Sequence, residues 1–123
     1  MYVEPSHNCA MIETLRREGA RGVWLAVLQQ VLLLAGERAQ FLHHAERAWS
    51  SATYSGAYHT FRLSFSGADA VADGEDFIAA LPDHEFTLPG RLVAKATILA
   101  AEHSLIDGPV LTLEAELLVL DEA

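Results

Sequence analysis

The sequence predicts an α+β fold: N-terminal helices followed by a β-α-β-β unit, with a mostly antiparallel sheet and helices packed on one face. Three observations support this prediction. An apolar segment of helical character begins near Gly22, apolar and polar residues alternate over residues 58–66, and two apolar C-terminal stretches flank a turn signal at residues 107–109. Because 123 residues can bury a core of their own, we expect a single domain over residues 1–123.

The N-terminal part of the chain is predicted to be helical after a flexible tail at residues 1–8. A short helix extends to about Glu18, and a longer one starts near Gly22. The longer helix is apolar on nearly all sides as far as Ala35, which predicts a buried position. Beyond Gly36 we expect it to continue as an amphipathic helix, since apolar residues recur at helical spacing. These residues are Ala39, Leu42, Ala45 and Trp49.

Residues 58–66 form the clearest predicted strand, because phenylalanine and leucine alternate there with polar residues. One face of this strand should therefore be buried. Asp69 is a suitable N-cap for a second helix. This helix is predicted to extend to Leu81 and to be stopped by Pro82.

Two C-terminal strands, at about residues 91–101 and 110–120, are predicted to form a hairpin. One alternating set of their residues supplies a core face. The opposite set begins polar but becomes apolar, and a sheet covered on one face has no reason to place leucines on the other. Either a second layer of the same chain covers these leucines or a second subunit does, and we favour a homodimer. The predicted contact residues are Val93, Leu99, Leu118 and Leu120.

The composition is acidic, with a formal net charge of −9 and one basic cluster, Arg16, Arg17 and Arg21, hereafter the arginine cluster. Because this charge repels phosphate backbones and anionic lipids, neither nucleic acid nor a membrane is predicted as a partner. No apolar stretch reaches the ~20 residues that cross a bilayer, and no secretory signal pattern is visible, so we expect a cytoplasmic location. One lysine among eight basic residues, together with abundant alanine, favours a bacterial source.

An acidic stripe lies along one side of the second predicted helix, where Asp69, Asp73 and Asp76 recur at helical spacing. A solvated helix face is the simpler interpretation. The alternative is a docking face for a basic partner, such as the arginine cluster of another subunit.

The sequence lacks the motifs that would identify an enzyme. It contains no glycine-rich phosphate loop, nucleophile elbow, CxxC or HExxH. The single cysteine, Cys9, cannot form an internal disulfide, and with His7 it offers too few ligands for structural zinc. We therefore predict no cofactor and no metal.

Two histidines fall on the predicted extension of the long helix. His43 and His44 would point about 100° apart there, whereas His43 and Glu46 have the i, i+3 spacing of half a metal site. A polar helix face is the simpler interpretation of both.

Residues 81–90 form the densest ionisable cluster. In an extended chain Asp83 and Glu85 project to one side. This pair could hold a hard cation, or act as acid and base, if a third group such as His59, His103 or Asp107 met it. The simpler interpretation is a boundary between a helix and a strand.

The function predicted from these observations is a non-enzymatic, homo-oligomeric protein-interaction module. The alternative is a small-molecule-binding protein or an enzyme, whose pocket between helices and sheet would use His59, Asp83, Glu85 and His103. A chaperone-like adapter is a third interpretation. Convergence of those four residues around a cavity would favour the alternative.

Overall fold

The computed structural model describes residues 12, 13, 15 and 22–121. The predicted N-terminal tail, Cys9 and the arginine cluster lie outside the described residues, and residues 12, 13 and 15 are helical. The elements are helix α1 (Val23–Ala35), strands β1 (Ala39–Ser50) and β2 (Ser55–Ser66), helix α2 (Ala68–Ala80), a 3-10 turn (Leu81–Asp83), and strands β3 (Arg91–Ser104) and β4 (Val110–Asp121). None of the described helices is long and apolar enough to cross a bilayer.

The four strands form one antiparallel sheet in the order β1-β2-β4-β3. Since β2 and β3 both run antiparallel to β4, they are parallel to each other, and α2 connects them across the sheet. The predicted α+β class, with helices before and within an antiparallel sheet, is confirmed.

The predicted helix beyond Gly36 is wrong, because residues 39–50 form the edge strand β1. Helix α1 ends at Gly36, whose φ of 96° lies in the left-handed region that favours glycine. A register irregularity between Phe41 and His43 breaks the alternation of β1. Because of this β-bulge, the strand lacks the regular alternation by which a strand is recognised in a sequence.

The core lies between the helices and one face of the sheet, hereafter the inner face. Phe61, Leu63 and Phe65 of β2 are fully buried against apolar residues of α1, such as Leu28 and Val31. Each such side chain contributes about 1.5–3 kcal/mol by leaving water. The hydrophobic effect therefore holds both helices on this face, as the sequence predicts.

The C-terminal hairpin has the predicted core face on β4, where Leu111, Leu113 and Leu117 are buried. On β3, register irregularities between Val93 and Lys95 and between Ile98 and Ala100 shift the alternation. Val93 consequently lies opposite Val119 and packs against the core. Its predicted position on the opposite, outer face is wrong for this reason.

Candidate functional site

Three ionisable side chains meet on the inner face of β1 and β2. Because side chains alternate along a strand, His44 and Glu46 of β1 point to the same face. Glu46 lies directly opposite His59 of β2, and His44 lies opposite Phe61. The register therefore brings the three side chains together, and we call them the His-Glu-His cluster.

The ligand atoms of this cluster are close together. His44 Nε2 and His59 Nδ1 are 3.0 Å apart and form a hydrogen bond, while His59 Nδ1 and Glu46 Oε1 are 3.4 Å apart. One ligand atom from each residue lies within 4.8 Å of the other two. In the part of the chain that the structure describes, no other group of three or more such residues comes this close.

The cluster is buried at one end and open at the other. His59 is fully buried, and its Nε2 atom has no hydrogen-bond partner among the described residues. The side chain of Glu46 is 51% exposed. Solvent therefore reaches Glu46 and, in part, His44, but not His59.

Aromatic rings hold His44 in place. The Trp24 ring from α1 stacks on the imidazole with centroids 4.5 Å apart and planes 8° apart. Phe61 contacts the same imidazole with a centroid separation of 5.0 Å. Helix α1 therefore orients one member of a site that the two strands create.

Burial keeps both imidazoles neutral. It lowers the pKa of His44 to about 4, an effect to which the nearby His59 adds and which Glu46 opposes. Burial also lowers the pKa of His59, again against the attraction of Glu46. At neutral pH the two rings therefore carry lone pairs that can bind a proton or a metal ion.

The structure does not bring the four residues of the predicted pocket together. His59 belongs to the His-Glu-His cluster, whereas Asp83, Glu85 and His103 are exposed. His59 and His103 lie opposite Leu117 and Leu111, which are roughly 20 Å apart along β4 at ~3.3 Å per residue. No three of the four are close enough to form one site.

The segment at residues 81–90 is a boundary, as its simpler interpretation predicts. Asp83 ends the 3-10 turn that follows α2. Leu88 is buried, and Phe86 packs against the core.

The acidic stripe on α2 has a basic neighbour from elsewhere in the chain. Arg38, just before β1, donates from Nε to Asp73 Oδ2 at 2.8 Å, and its Nη1 lies 3.5 Å from Asp69 Oδ2. Asp76 has no ion pair among the described residues. Two of the three carboxylates predicted to receive a partner are thus paired within the chain.

Sequence reasoning missed His44 and Glu46 because it placed them on a helix. On a helix His43 and Glu46 share a face, but on a strand His44 and Glu46 do. The His-x-Glu spacing at these positions is the signal that a strand interpretation would have used.

Comparison with family models, curated proteins and solved structures found no match. The function is therefore argued from this chain's own residues.

Proposed function

We propose that this chain is a non-enzymatic, homodimeric interaction module in which β3 pairs with β3 of a second copy. One observation carries the proposal. Of the seven exposed large hydrophobic side chains among the described residues, four lie on β3 and the loop after it: Leu92, Leu99, Leu105 and Ile106. The other edge strand, β1, has one, Leu42. An edge strand with apolar side chains is a template for pairing with another chain.

A second copy of the chain suits β3 because the strand is complementary to itself. Antiparallel pairing about a two-fold axis between Ile98 and Leu99 places Lys95 opposite Glu102. Both side chains are exposed and lie on the outer face. Opposite charges in such cross-strand positions contribute roughly 0.2–1 kcal/mol each, and two-fold symmetry forms the pair twice.

The extent of the pairing is limited by the irregularities of β3. They interrupt its ladder with β4 near Val93 and near Leu99. The first irregularity limits the contact at residue 95 and, by symmetry, at residue 102, whereas the second lies at the two-fold axis. Bulges of this kind also restrict uncontrolled growth from a sheet edge. A closed pair is therefore expected rather than a longer assembly.

The predicted contact residues differ in how much apolar surface they can lose on association. Leu99 is 49% exposed and Leu92 is 51% exposed, so both can lose apolar surface on association. Leu118 and Leu120 lie on the outer face as predicted, but they are only 9% and 7% exposed. These two leucines are largely covered within one chain and can therefore lose little further surface on association.

The first test is the oligomeric state of point variants. Wild type should sediment as a dimer at micromolar concentration, and Leu99→Glu should be a monomer with an unchanged circular dichroism spectrum, because the glutamate would have to leave water on association. Leu33→Glu is the matched control, since Leu33 is strongly exposed on α1, away from β3. A monomeric wild type, or an equal loss of dimer in Leu33→Glu, would refute the proposal.

A charge exchange tests the pairing register. Lys95→Glu and Glu102→Lys should each weaken the dimer, because like charges then face each other. The double exchange Lys95→Glu with Glu102→Lys should restore it. A double variant that is weaker than either single one would exclude this register.

The remaining parts of the proposal concern the setting. We place the module in the bacterial cytoplasm, which the single cysteine and the arginine- and alanine-rich composition support. The net charge of −9 supports partners other than nucleic acid. Fractionation of source cells checks the location.

A further inference from the structure

We infer that His44, Glu46 and His59 form a binding site for a divalent transition-metal ion, with zinc as the best fit. This inference is independent of the dimer, because it depends only on the inner face of β1 and β2. The residues are contributed by one chain and already lie side by side.

The spacing of the ligand atoms fits a tetrahedral ion. Zinc binds imidazole nitrogen and carboxylate oxygen at about 2.0–2.2 Å, which places neighbouring ligand atoms about 3.3–3.5 Å apart. The His59 Nδ1 to Glu46 Oε1 distance of 3.4 Å matches this value. The His44 Nε2 to His59 Nδ1 distance of 3.0 Å needs to open by only a few tenths of an ångström.

The ligand types select the class of ion. Two imidazoles and one carboxylate suit zinc, iron, cobalt, nickel and copper, whereas magnesium and calcium prefer oxygen ligands alone. Metal binding requires deprotonated ligands. Burial supplies this condition at neutral pH, because it keeps His44 and His59 uncharged.

The surroundings of the site favour binding over a purely structural role. Within the part of the chain that the structure describes, the buried His59 Nε2 is left without a hydrogen-bond partner, a cost of about 1–3 kcal/mol that a leucine in the core would not carry. Trp24 fixes the ring plane of His44 before any ion arrives. Three protein ligands leave a fourth position open, as in zinc sites that bind water or a small ligand.

The entry path is defined by the exposure of the ligands. His59 lies at the buried end, and Glu46 reaches solvent. An ion therefore reaches Glu46 and the partly exposed His44 before the buried His59.

The first experiment measures zinc binding directly. The full chain, purified without an affinity tag and freed of metal with a chelator, is titrated with zinc chloride at pH 7 by calorimetry. We expect one ion per chain and a higher unfolding temperature with zinc, because an ion that binds the folded state stabilises it. A dissociation constant weaker than ~1 mM would overturn the inference.

Matched variants assign the ion to these residues. Glu46→Gln and His44→Gln should each weaken zinc binding at least ~10-fold, since even the loss of a residue that only orients a ligand costs roughly 10–100-fold. His43→Gln is the control, because His43 is the exposed neighbour on the outer face. Variants of His59 are not needed to assign the zinc ion, because replacing this fully buried residue can prevent folding.

The zinc affinities of the three variants distinguish binding at this site from binding elsewhere. Weaker binding in Glu46→Gln and His44→Gln, with His43→Gln unchanged, supports the site. Equal affinity in wild type, Glu46→Gln and His44→Gln assigns the zinc to another part of the chain and overturns it. Equal weakening in all three variants also overturns it, because the effect would not depend on which face a side chain occupies.

Discussion

His59 shows what a single buried residue reveals about this chain. Its ring occupies a fully buried position on β2, where an apolar side chain would pack without polar cost. The neutral ring is tolerated because charging it would require removing an imidazolium from water. The chain therefore retains a titratable group at a position where stability alone favours leucine or phenylalanine.

At the residue scale, we expect acid to destabilise the metal-free protein through this cluster. Both pKa values are lower in the folded chain than the ordinary 6.5, and that of His44 is about 4. Below pH 6.5 the unfolded chain binds more protons, so the contribution to stability is present above pH 6.5 and is lost as the pH falls towards 4. Urea unfolding with chelator present, at several pH values in this range, measures the loss.

The variant His44→Phe separates the contribution of His44 to the loss of stability in acid from the contribution of the carboxylates. Phenylalanine retains the stacking on Trp24 but binds no proton. Its stability should fall less steeply than that of wild type over the same pH range. Identical slopes would show that His44 does not contribute.

Strand β1 shows how far an element could be predicted from the sequence. The clear alternation of β2 and β4 and the end of α2 near Pro82 predicted those elements within a few residues. β1 contains three alanines together with Leu42, Glu46 and Arg47, all of which favour helices, and its bulge removes the period of two. Its pairing with β2 overrides these local preferences, and no local pattern contains that information.

The candidate site depends on the same element, which is why two of its three residues were missed. His59 was recognisable because it lies on a clearly alternating strand. His44 and Glu46 became neighbours only through the register of β1 with β2. Asp83 and Glu85 were conspicuous in the sequence, but among the described residues they belong to no group of three or more close potential ligands.

At the element scale, the contact of α2 with the sheet predicts the effect of Gly74→Ala. A methyl group at Gly74 would lie 2.6 Å from Leu111 Cδ2 and 2.9 Å from Phe65 Cδ2. Overpacking of this kind costs about 1–3 kcal/mol, which outweighs the ~1 kcal/mol gained in helix propensity. We expect a net loss of stability in urea unfolding. Ala79→Gly, at an exposed helical position, reports the propensity effect alone, and a stabilised Gly74→Ala would contradict the close packing.

The whole molecule carries a charge that opposes its own proposed association. Each copy has a net charge of −9, so two copies repel each other. The proposed contact on β3 places the few cations of that strand near an anion, and the acidic stripe on α2 is partly neutralised by Arg38. In the proposed dimer, the paired opposite charges and the apolar contact at β3 therefore have to outweigh the long-range repulsion between the two acidic copies.

At the scale of the whole molecule, we expect salt to strengthen the dimer. Screening shortens the range of the repulsion from about 10 Å at 0.1 M salt to about 3 Å at 1 M, while apolar contact and backbone pairing persist. The dissociation constant from sedimentation should therefore fall as salt rises over this range. Docking of the acidic stripe on the arginine cluster of another subunit predicts the opposite, because salt screens that attraction.

The bulge near Leu42 determines which of two adjacent histidines reaches the inner face. Side chains on one face of a regular strand are an even number of residues apart, but Phe41 and His44 share a face at a spacing of three. If β1 were a regular strand without the bulge at Leu42, His43 would point inward, and His44 and Glu46 would point outward. A related chain that retains this odd spacing should retain the cluster, and one that gains or loses a single residue between Phe41 and His44 should lose it. The length of that short segment is therefore a simple diagnostic for the site in any sequence aligned to this one.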